Sequence, residues 1–257
     1  MSWLKLTSKA LYLMHGGTEQ YISKVALESK DNFTILDVPL DWFTGSTSNL
    51  PRTMLVDMQA TVEPAQFTPT PNDGTLKGKK IVLDPGHGED DGQGIDSGAV
   101  GFGTSELVEN IIQADEVAKY LRSKGASVKI VPNSENLDLW SIGSRGSGSD
   151  AFISLHLNAF NGTVQRHEVL VLPEATQEDK QLAESISVEL RNTLQDPPFK
   201  NAGVKSQRLG VLRGVPDGIP KVLTEALFID APGMSRENVV KAAQAIARGI
   251  ENFLLKS

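Results

Sequence analysis

The spacing of apolar residues changes at about residue 79 of this chain. Beyond that point, short β-branched runs alternate with segments in which apolar residues recur every three or four positions. The runs predict strands at 81–83, 127–131, 151–157, 167–172 and 221–229, with a short extended piece at 211–212. The spaced segments predict helices at 105–124, at 177–194 and after Ser235. Such alternation is typical of an α/β domain with a mixed, largely parallel sheet flanked by helices.

The first 60 residues carry a different pattern. Short strand-like runs are separated by Gly, Asn and Asp turns, which predicts a small β-rich module. Residues 61–78 are spaced by prolines and lack apolar periodicity, as a semi-extended linker does. The sequence therefore predicts an auxiliary module at 1–60, a linker at 61–78 and the main domain at 79–257. Aromatic side chains of the module either build its core or stack on a ligand: Trp3, Tyr12, Tyr21, Phe33, Trp42 and Phe43.

Composition excludes several classes of function. The net charge of −7 over 257 residues argues against nucleic acid as a partner, because nucleic acid requires a basic footprint. The absence of cysteine excludes disulfides and thiolate metal sites. No apolar run approaches the ~18 residues of a membrane span, so membrane insertion is not expected. The first residues also lack the pattern of a signal peptide, which leaves the export route open.

Two of the predicted strands lead to a histidine. The run at 81–83 continues through Asp84-Pro85-Gly86 to His87, and the run at 151–157 carries His156 near its end. Glu106 opens the helix that follows the first strand. Ligands of open α/β sheets bind beyond the carboxyl ends of the strands, and two imidazoles with one carboxylate form a zinc set that leaves one position for water. Taken alone, either histidine is more simply explained as a structural turn residue.

A carboxylate, Glu225, lies inside the apolar run at 221–229. Burial of this carboxylate costs several kcal/mol unless it has a hydrogen-bond or ion-pair partner, so an unpaired one indicates a functional role. Beside a zinc site it is the candidate general base, and a structural ion pair is the alternative. No Gly-x-Ser-x-Gly elbow and no phosphate-binding Gly-Lys-Ser/Thr motif occurs. The acidic stretch at 89–96 fits a solvated loop better than a second cation site.

The region from about Lys79 to Leu255 resembles the zinc-dependent N-acetylmuramoyl-L-alanine amidases of the Amidase_3 family. Four motifs occur in the family's order and approximate spacing: Asp84-Pro85-Gly86-His87-Gly88, Ser97-Gly98-Ala99-Val100-Gly101 leading to Glu106, Ser154-Leu155-His156-Leu157-Asn158-Ala159, and Val222-Leu223-Thr224-Glu225. The resemblance implies one zinc ion held by His87, Glu106 and His156, with Glu225 as the catalytic carboxylate. It implies hydrolysis of the amide between N-acetylmuramic acid and the L-alanine of the stem peptide.

Three features depart from the family's pattern. Glu89 stands where a second glycine usually follows His-Gly, and the loop from 89 to 96 is longer. Arg166-His167-Glu168 replaces a more usual Gly-x-Glu. The segment 158–170 is too short for the inserted helix that blocks the site of some members. We therefore expect an open, accessible cleft.

The same resemblance suggests Arg213 and Asn158 as substrate contacts, with a surface salt bridge as the alternative for Arg213. The expected partner is peptidoglycan or a muropeptide. We expect the protein to be a monomer that acts at the cell wall, on the periplasmic or extracellular side. The module at 1–60 would then bind the wall. Two other functions keep some of these features: a non-catalytic peptidoglycan-binding or regulatory protein, and a zinc peptidase that acts elsewhere on the stem peptide.

Overall fold

A computed structural model describes residues 74–256 except for 90–94, 133–136 and 196–198, together with six strands between residues 2 and 57. The chain divides into two compact units, Met1–Pro69 and Thr70–Ser257. Most of the predicted linker at 61–78 lies outside the described residues, and so do the side chains of the six N-terminal aromatics. In the part of the chain that is described, no helix is long and apolar enough to cross a membrane.

The first unit contains two antiparallel sheets of three strands each. They are formed by β1 (Ser2–Leu6), β2 (Leu11–His15) and β3 (Thr18–Ser23), and by β4 (Glu28–Lys30), β5 (Phe33–Asp37) and β6 (Thr53–Asp57). Strands β2 and β3 pair as far as His15 and Thr18. The boundaries of the N-terminal module at 1–60 stay predictions.

The second unit alternates strands and helices along its length. Its elements are β7 (Lys80–Pro85), β8 (Gly88–Glu89), β9 (Ile95–Asp96), β10 (Val100–Gly101), β11 (Thr104–Ser105), α1 (Glu106–Ser123), β12 (Ser127–Ile130), α2 (Leu139–Ser144), β13 (Ala151–Asn158), β14 (Arg166–Val171), α3 (Gln177–Thr193), β15 (Lys200–Ser206), α4 (Gly210–Gly214), β16 (Lys221–Phe228) and α5 (Arg236–Leu254). Side-chain caps begin four of the helices, at Ser105, Asp138, Thr176 and Ser235.

Six of these strands form one sheet in the order β12-β7-β13-β16-β14-β15. The first four run parallel to one another. Strand β14 is antiparallel to β16, and the edge strand β15 is parallel to β14. The predicted fold class, an α/β domain with a mixed and largely parallel sheet flanked by helices, is confirmed. The reversal at β14 also brings the start of that strand to the edge of the sheet where β13 and β16 end.

Helices cover both faces of the sheet. Apolar side chains of α1, α3 and α5 pack on one face in a large core that includes Ile153, Val169 and Ala226. A smaller core on the other face joins Val82 and Phe152 to residues of α4 and to the partly buried Ile142 of α2. Both faces of the central strands are therefore buried, which explains their continuous apolar runs.

One local prediction is wrong, and two further elements were not predicted. Residues 211–212 lie in the short helix α4 rather than in an extended piece, because both side chains are buried in the smaller core and one helical turn directs them there. Strand β15 was not predicted, since its sequence Lys-Asn-Ala-Gly-Val-Lys-Ser lacks apolar alternation and it is an edge strand. Helix α2 was not predicted either. It ends in a stretch rich in Gly and Ser, and the Asp138 side chain caps its first turn.

His167 is a fully buried histidine on β14, under helix α3. Among the described residues neither ring nitrogen has a hydrogen-bond partner. Burial, assisted by the positive charge of Arg191, lowers the pKa of His167 to about 4. The folded protein therefore holds this imidazole neutral at pH values where an exposed histidine is charged.

We predict that His167→Leu reduces the loss of free energy of unfolding that the protein undergoes as the pH falls. Between about pH 6.5 and pH 4 the unfolded chain binds a proton at His167 that the folded chain does not, so the free energy of unfolding falls as the pH falls. For the parent this loss is about 3 kcal/mol. Urea unfolding of both proteins at pH 7 and pH 4.5 tests this. An equal loss in both proteins would show that His167 does not titrate as described.

Candidate active site

Three side chains converge at the carboxyl ends of strands β7 and β13. Glu106 Oε1 lies 3.1 Å from His87 Nε2 and 2.9 Å from His156 Nδ1. Each residue offers one ligand atom, and these three atoms lie within 4.8 Å of one another. The structure thus brings together the three residues that the sequence singled out as a metal set. Two imidazoles and one carboxylate are the donors of catalytic rather than structural zinc sites, so their chemistry fits that ion.

Close packing of glycines holds the two histidines in place. His87 follows β7 with a φ of 70°, a strained conformation for a residue with a side chain. A Cβ at Gly86 would overlap the imidazole of His156. A Cβ at Gly98 would lie 2.6 Å from His87 Cδ2, and Gly98 itself has a φ of +63°. Both glycines of these motifs are therefore required by the approach of backbone to an imidazole.

Glu106 is the first residue of helix α1, where its negative charge suits the helix dipole. Its carboxylate accepts hydrogen bonds from the backbone N–H groups of Ala99 and Leu157, both at 3.2 Å. Burial opposes ionisation of Glu106, but the hydrogen bonds from His156 and His87 outweigh it and hold its pKa well below the ordinary value. Glu106 is therefore anchored as an anion at neutral pH.

Asp96 fixes the orientation of His87 from the other side of the ring. Its Oδ2 lies 2.9 Å from His87 Nδ1, and its Oδ1 accepts a hydrogen bond from the N–H of Gly98. Burial lowers the pKa of His87, but hydrogen bonds to Glu106 and Asp96 outweigh it and raise the pKa to about 9. In the sequence, Asp96 is marked only as a member of the acidic stretch at 89–96, of which residues 90–94 lie outside the described residues. The adjoining Ser97–Gly101 motif was the available signal.

Glu225 lies between His156 and Glu168 in a row of residues across the sheet. Its backbone is in register with His156 on β13 and with Glu168 on β14. Residues in register on neighbouring strands point to the same face, about 5 Å apart. Burial raises the pKa of Glu225 to about 8, and the negative charges of Glu106 and Glu168 add to the effect. Among the described residues Glu225 Oε2 has no hydrogen-bond partner.

The Glu168 side chain, near the start of β14, contacts three polar side chains. Asn158 Nδ2 donates to Glu168 Oε1 at 3.1 Å, which places Asn158 beside this row. Lys205 Nζ bonds to Glu168 Oε2, and Arg166 Nε lies 3.3 Å from the same oxygen. None of these contacts was predicted from the sequence, because they depend on how β13, β14 and β15 are placed in the sheet.

Arg213 lies away from the three converging residues. It forms an ion pair of 3.7 Å with Glu174, which follows β14. Because β14 is antiparallel to β16, its end lies at the edge of the sheet opposite to His156 and Glu225. This arrangement corresponds to the surface salt bridge that was the alternative for Arg213.

The connection from β13 to β14 spans residues 159–165, all of them described, and contains no helix. Its Phe160 is 75 % exposed. The backbone N–H groups of Phe160 and Gly162 donate to Asp230 Oδ2, at 3.0 and 2.9 Å. These bonds tie the connection to the residues just after β16. The expectation of an open cleft at this edge remains a prediction.

A model of the Amidase_3 family, described as N-acetylmuramoyl-L-alanine amidase, matches residues 81–252. A protein of Bacillus anthracis named as a cell wall amidase is 32 % identical over 209 residues, which cover 72 % of this chain and 37 % of that protein. Probable cell wall amidase LytH of Staphylococcus epidermidis is 35 % identical over 187 residues, which cover 69 % of this chain and 59 % of that protein. The chain therefore spans less than two thirds of the length of these relatives.

The fold is also similar to a solved structure, the N-acetylmuramoyl-L-alanine amidase AmiC2 of Nostoc punctiforme. The two are 27 % identical, and the match covers 70 % of this chain and 98 % of that one with a TM-score of 0.59.

We predict that Gly98→Ala weakens binding of Zn²⁺ or Co²⁺, whereas Gly218→Ala does not. Both glycines have positive φ, 63° and 78°, so both substitutions incur a similar backbone cost of about 1 kcal/mol. Only at position 98 does the new methyl group meet His87, while nothing lies within 4 Å at Gly218. Metal titration of both variants, with thermal unfolding as the check on folding, measures the difference. Equal metal affinity would contradict the packing argument.

Proposed function

Because this chain belongs to the Amidase_3 family of N-acetylmuramoyl-L-alanine amidases, we propose that it hydrolyses peptidoglycan. The bond cleaved is the amide between N-acetylmuramic acid and the L-alanine of the stem peptide. The names of the relatives as cell wall amidases support this substrate. The site of action is the cell wall, and the sheets of the first unit belong to an auxiliary module that binds it.

The observation that carries the proposal is the position of Glu225 beside the three converging residues. Its register with His156 sets the carboxylate about one strand spacing from that imidazole. Burial favours its neutral form, with a pKa of about 8. A carboxyl group that exchanges a proton near neutral pH suits general acid–base catalysis of amide hydrolysis.

In this proposal His87, Glu106 and His156 hold one zinc ion. When bound, zinc polarises the amide carbonyl and lowers the pKa of water at the site to roughly 7. Asp96 and the N–H groups of Ala99 and Leu157 keep the ligating side chains in one orientation. Because His87 has a raised pKa, metal must displace its proton, and metal affinity increases with pH.

Glu225 performs the proton transfers. Its carboxylate takes a proton from the attacking water and returns it to the amide nitrogen, so that L-alanine leaves as a free amine. Glu168 lies on the side of Glu225 that faces away from His156, and Asn158 donates a hydrogen bond to Glu168.

We predict that Glu225→Gln lowers the rate of L-alanine N-terminus release from purified peptidoglycan by roughly 10²–10⁴-fold, because the amide cannot transfer the proton. Zinc content measured on the same sample stays at the parent level. Glu174→Gln is the matched control, since Glu174 is 60 % exposed and lies at the opposite edge of the sheet. If Glu225→Gln retains the parent rate, Glu225 is not the proton carrier.

We predict that Asp96→Ala weakens zinc binding by about 10- to 100-fold, because His87 loses the partner that orients its ring. Competition with a chromophoric chelator at fixed pH measures the change. Asp138→Ala serves as the control, because Asp138 caps helix α2 and does not contact the metal set. Unchanged affinity in Asp96→Ala would mean that Asp96 has no part in positioning His87.

A further inference from the structure

Two cations share a single carboxylate oxygen beside Glu225. Lys205 on the edge strand β15 and Arg166 at the start of β14 both contact Glu168 Oε2. The other oxygen of Glu168 accepts from Asn158. Glu168 is buried, with 7 % of its side chain exposed, whereas 38 % of Arg166 and 41 % of Lys205 remain exposed.

The charges of this group do not cancel. One carboxylate faces two cations, and among the described residues no further ion pair joins Arg166 or Lys205 to another acid. A single cation is enough to neutralise Glu168. The second leaves about one net positive charge, partly exposed, next to the proposed catalytic carboxylate.

Contacts on both sides hold these cations in place. The guanidinium carbon of Arg166 lies 5.2 Å from the centre of the Phe228 ring, at the end of β16. Lys205 is held by its bond to Glu168. Because Arg166 and Glu168 are two residues apart on one strand, their side chains point to the same face of the sheet.

The spacing suits a short peptide that lies across the strands. The row runs from His156 through Glu225 to Glu168. The distance from His156 to Glu168 is therefore two strand spacings, or roughly 10 Å. Two extended residues span about 7 Å. A substrate whose amide lies at His156 and Glu225 therefore brings a carboxylate on its second residue within reach of the two cations.

We propose that Lys205 and Arg166 form a subsite for a free carboxylate on the second residue of the leaving peptide. This specificity rests on the proposed amidase function. In a stem peptide that begins L-Ala-D-Glu, the group is the α-carboxylate of D-glutamate. The same peptide with that group amidated lacks the charge, and the subsite discriminates against it.

Binding and cleavage of a matched pair of substrates test the proposal. The pair is N-acetylglucosaminyl-N-acetylmuramyl-L-Ala-γ-D-Glu-L-Lys and the same compound with D-isoglutamine as second residue. Because the γ-carboxyl group forms the next peptide bond in both, the second residue differs only in whether its α-carboxyl group is free or amidated. The zinc-loaded 257-residue chain is expected to show a KM about tenfold lower for the acid, as for other charge-assisted hydrogen bonds. Calorimetry with Glu225→Gln, which prevents turnover, is expected to give the same preference as a ratio of Kd values.

Lys205→Met is expected to raise the KM for the acid and bring the ratio of the two substrates close to one. Lys205→Arg keeps the charge and restores the preference. Lys129→Met is the matched control, because Lys129 lies on β12 at the opposite end of the sheet, and it keeps the preference of the parent.

Three outcomes overturn the subsite: equal KM and Kd for acid and amide in the parent, an unchanged ratio in Lys205→Met, or no saturable binding of either compound to folded protein. A protein that binds the acid preferentially but cleaves neither substrate would instead refute the proposed function and leave the subsite standing. Circular dichroism of each variant separates these results from a failure to fold.

Discussion

The site depends on one buried carboxylate oxygen, Oε1 of Glu106, which contacts the imidazoles of two histidines. Glu106 is 5 % exposed, and its Oε1 lies within 3.1 Å of both His87 and His156. These residues come from the turn after β7, the start of α1 and the end of β13, so three segments distant along the chain must meet at one point. That requirement explains the strained φ of His87. It also explains why Gly86 and Gly98, where a side chain would overlap an imidazole, are glycines.

The reversed strand β14 determines what else reaches this point. In a wholly parallel sheet the strand beside β16 would bring its carboxyl end here. Because β14 runs the other way, its first residues lie at this edge instead, and they include Arg166 and Glu168. Glu225 therefore has an imidazole on one side and a carboxylate with its two cations on the other. One reversal of chain direction gives the proposed proton carrier two different neighbours.

The sequence predicted the parts of the fold whose signals are local. Apolar runs and helix caps were sufficient for the central strands and the three long helices, and short motifs at strand ends pointed to His87 and His156. Strand β15 and helix α4 escaped prediction because their conformation is set by the elements they pack against. The bond from Asp96 to His87 and the cations around Glu168 also escaped prediction, since these contacts depend on how the loop and the strands fold against one another.

Strand β15 lies at the margin of the sheet, and its lysines discourage pairing with another chain, as charged edge strands do. Lys205 therefore belongs to an edge strand without fully buried residues, whereas His156 and Glu225 lie on the largely buried strands β13 and β16. Changes in β15 leave the parallel centre of the sheet intact. The proposed selectivity for the peptide can thus diverge among descendants of this domain while the proposed hydrolytic chemistry is inherited unchanged.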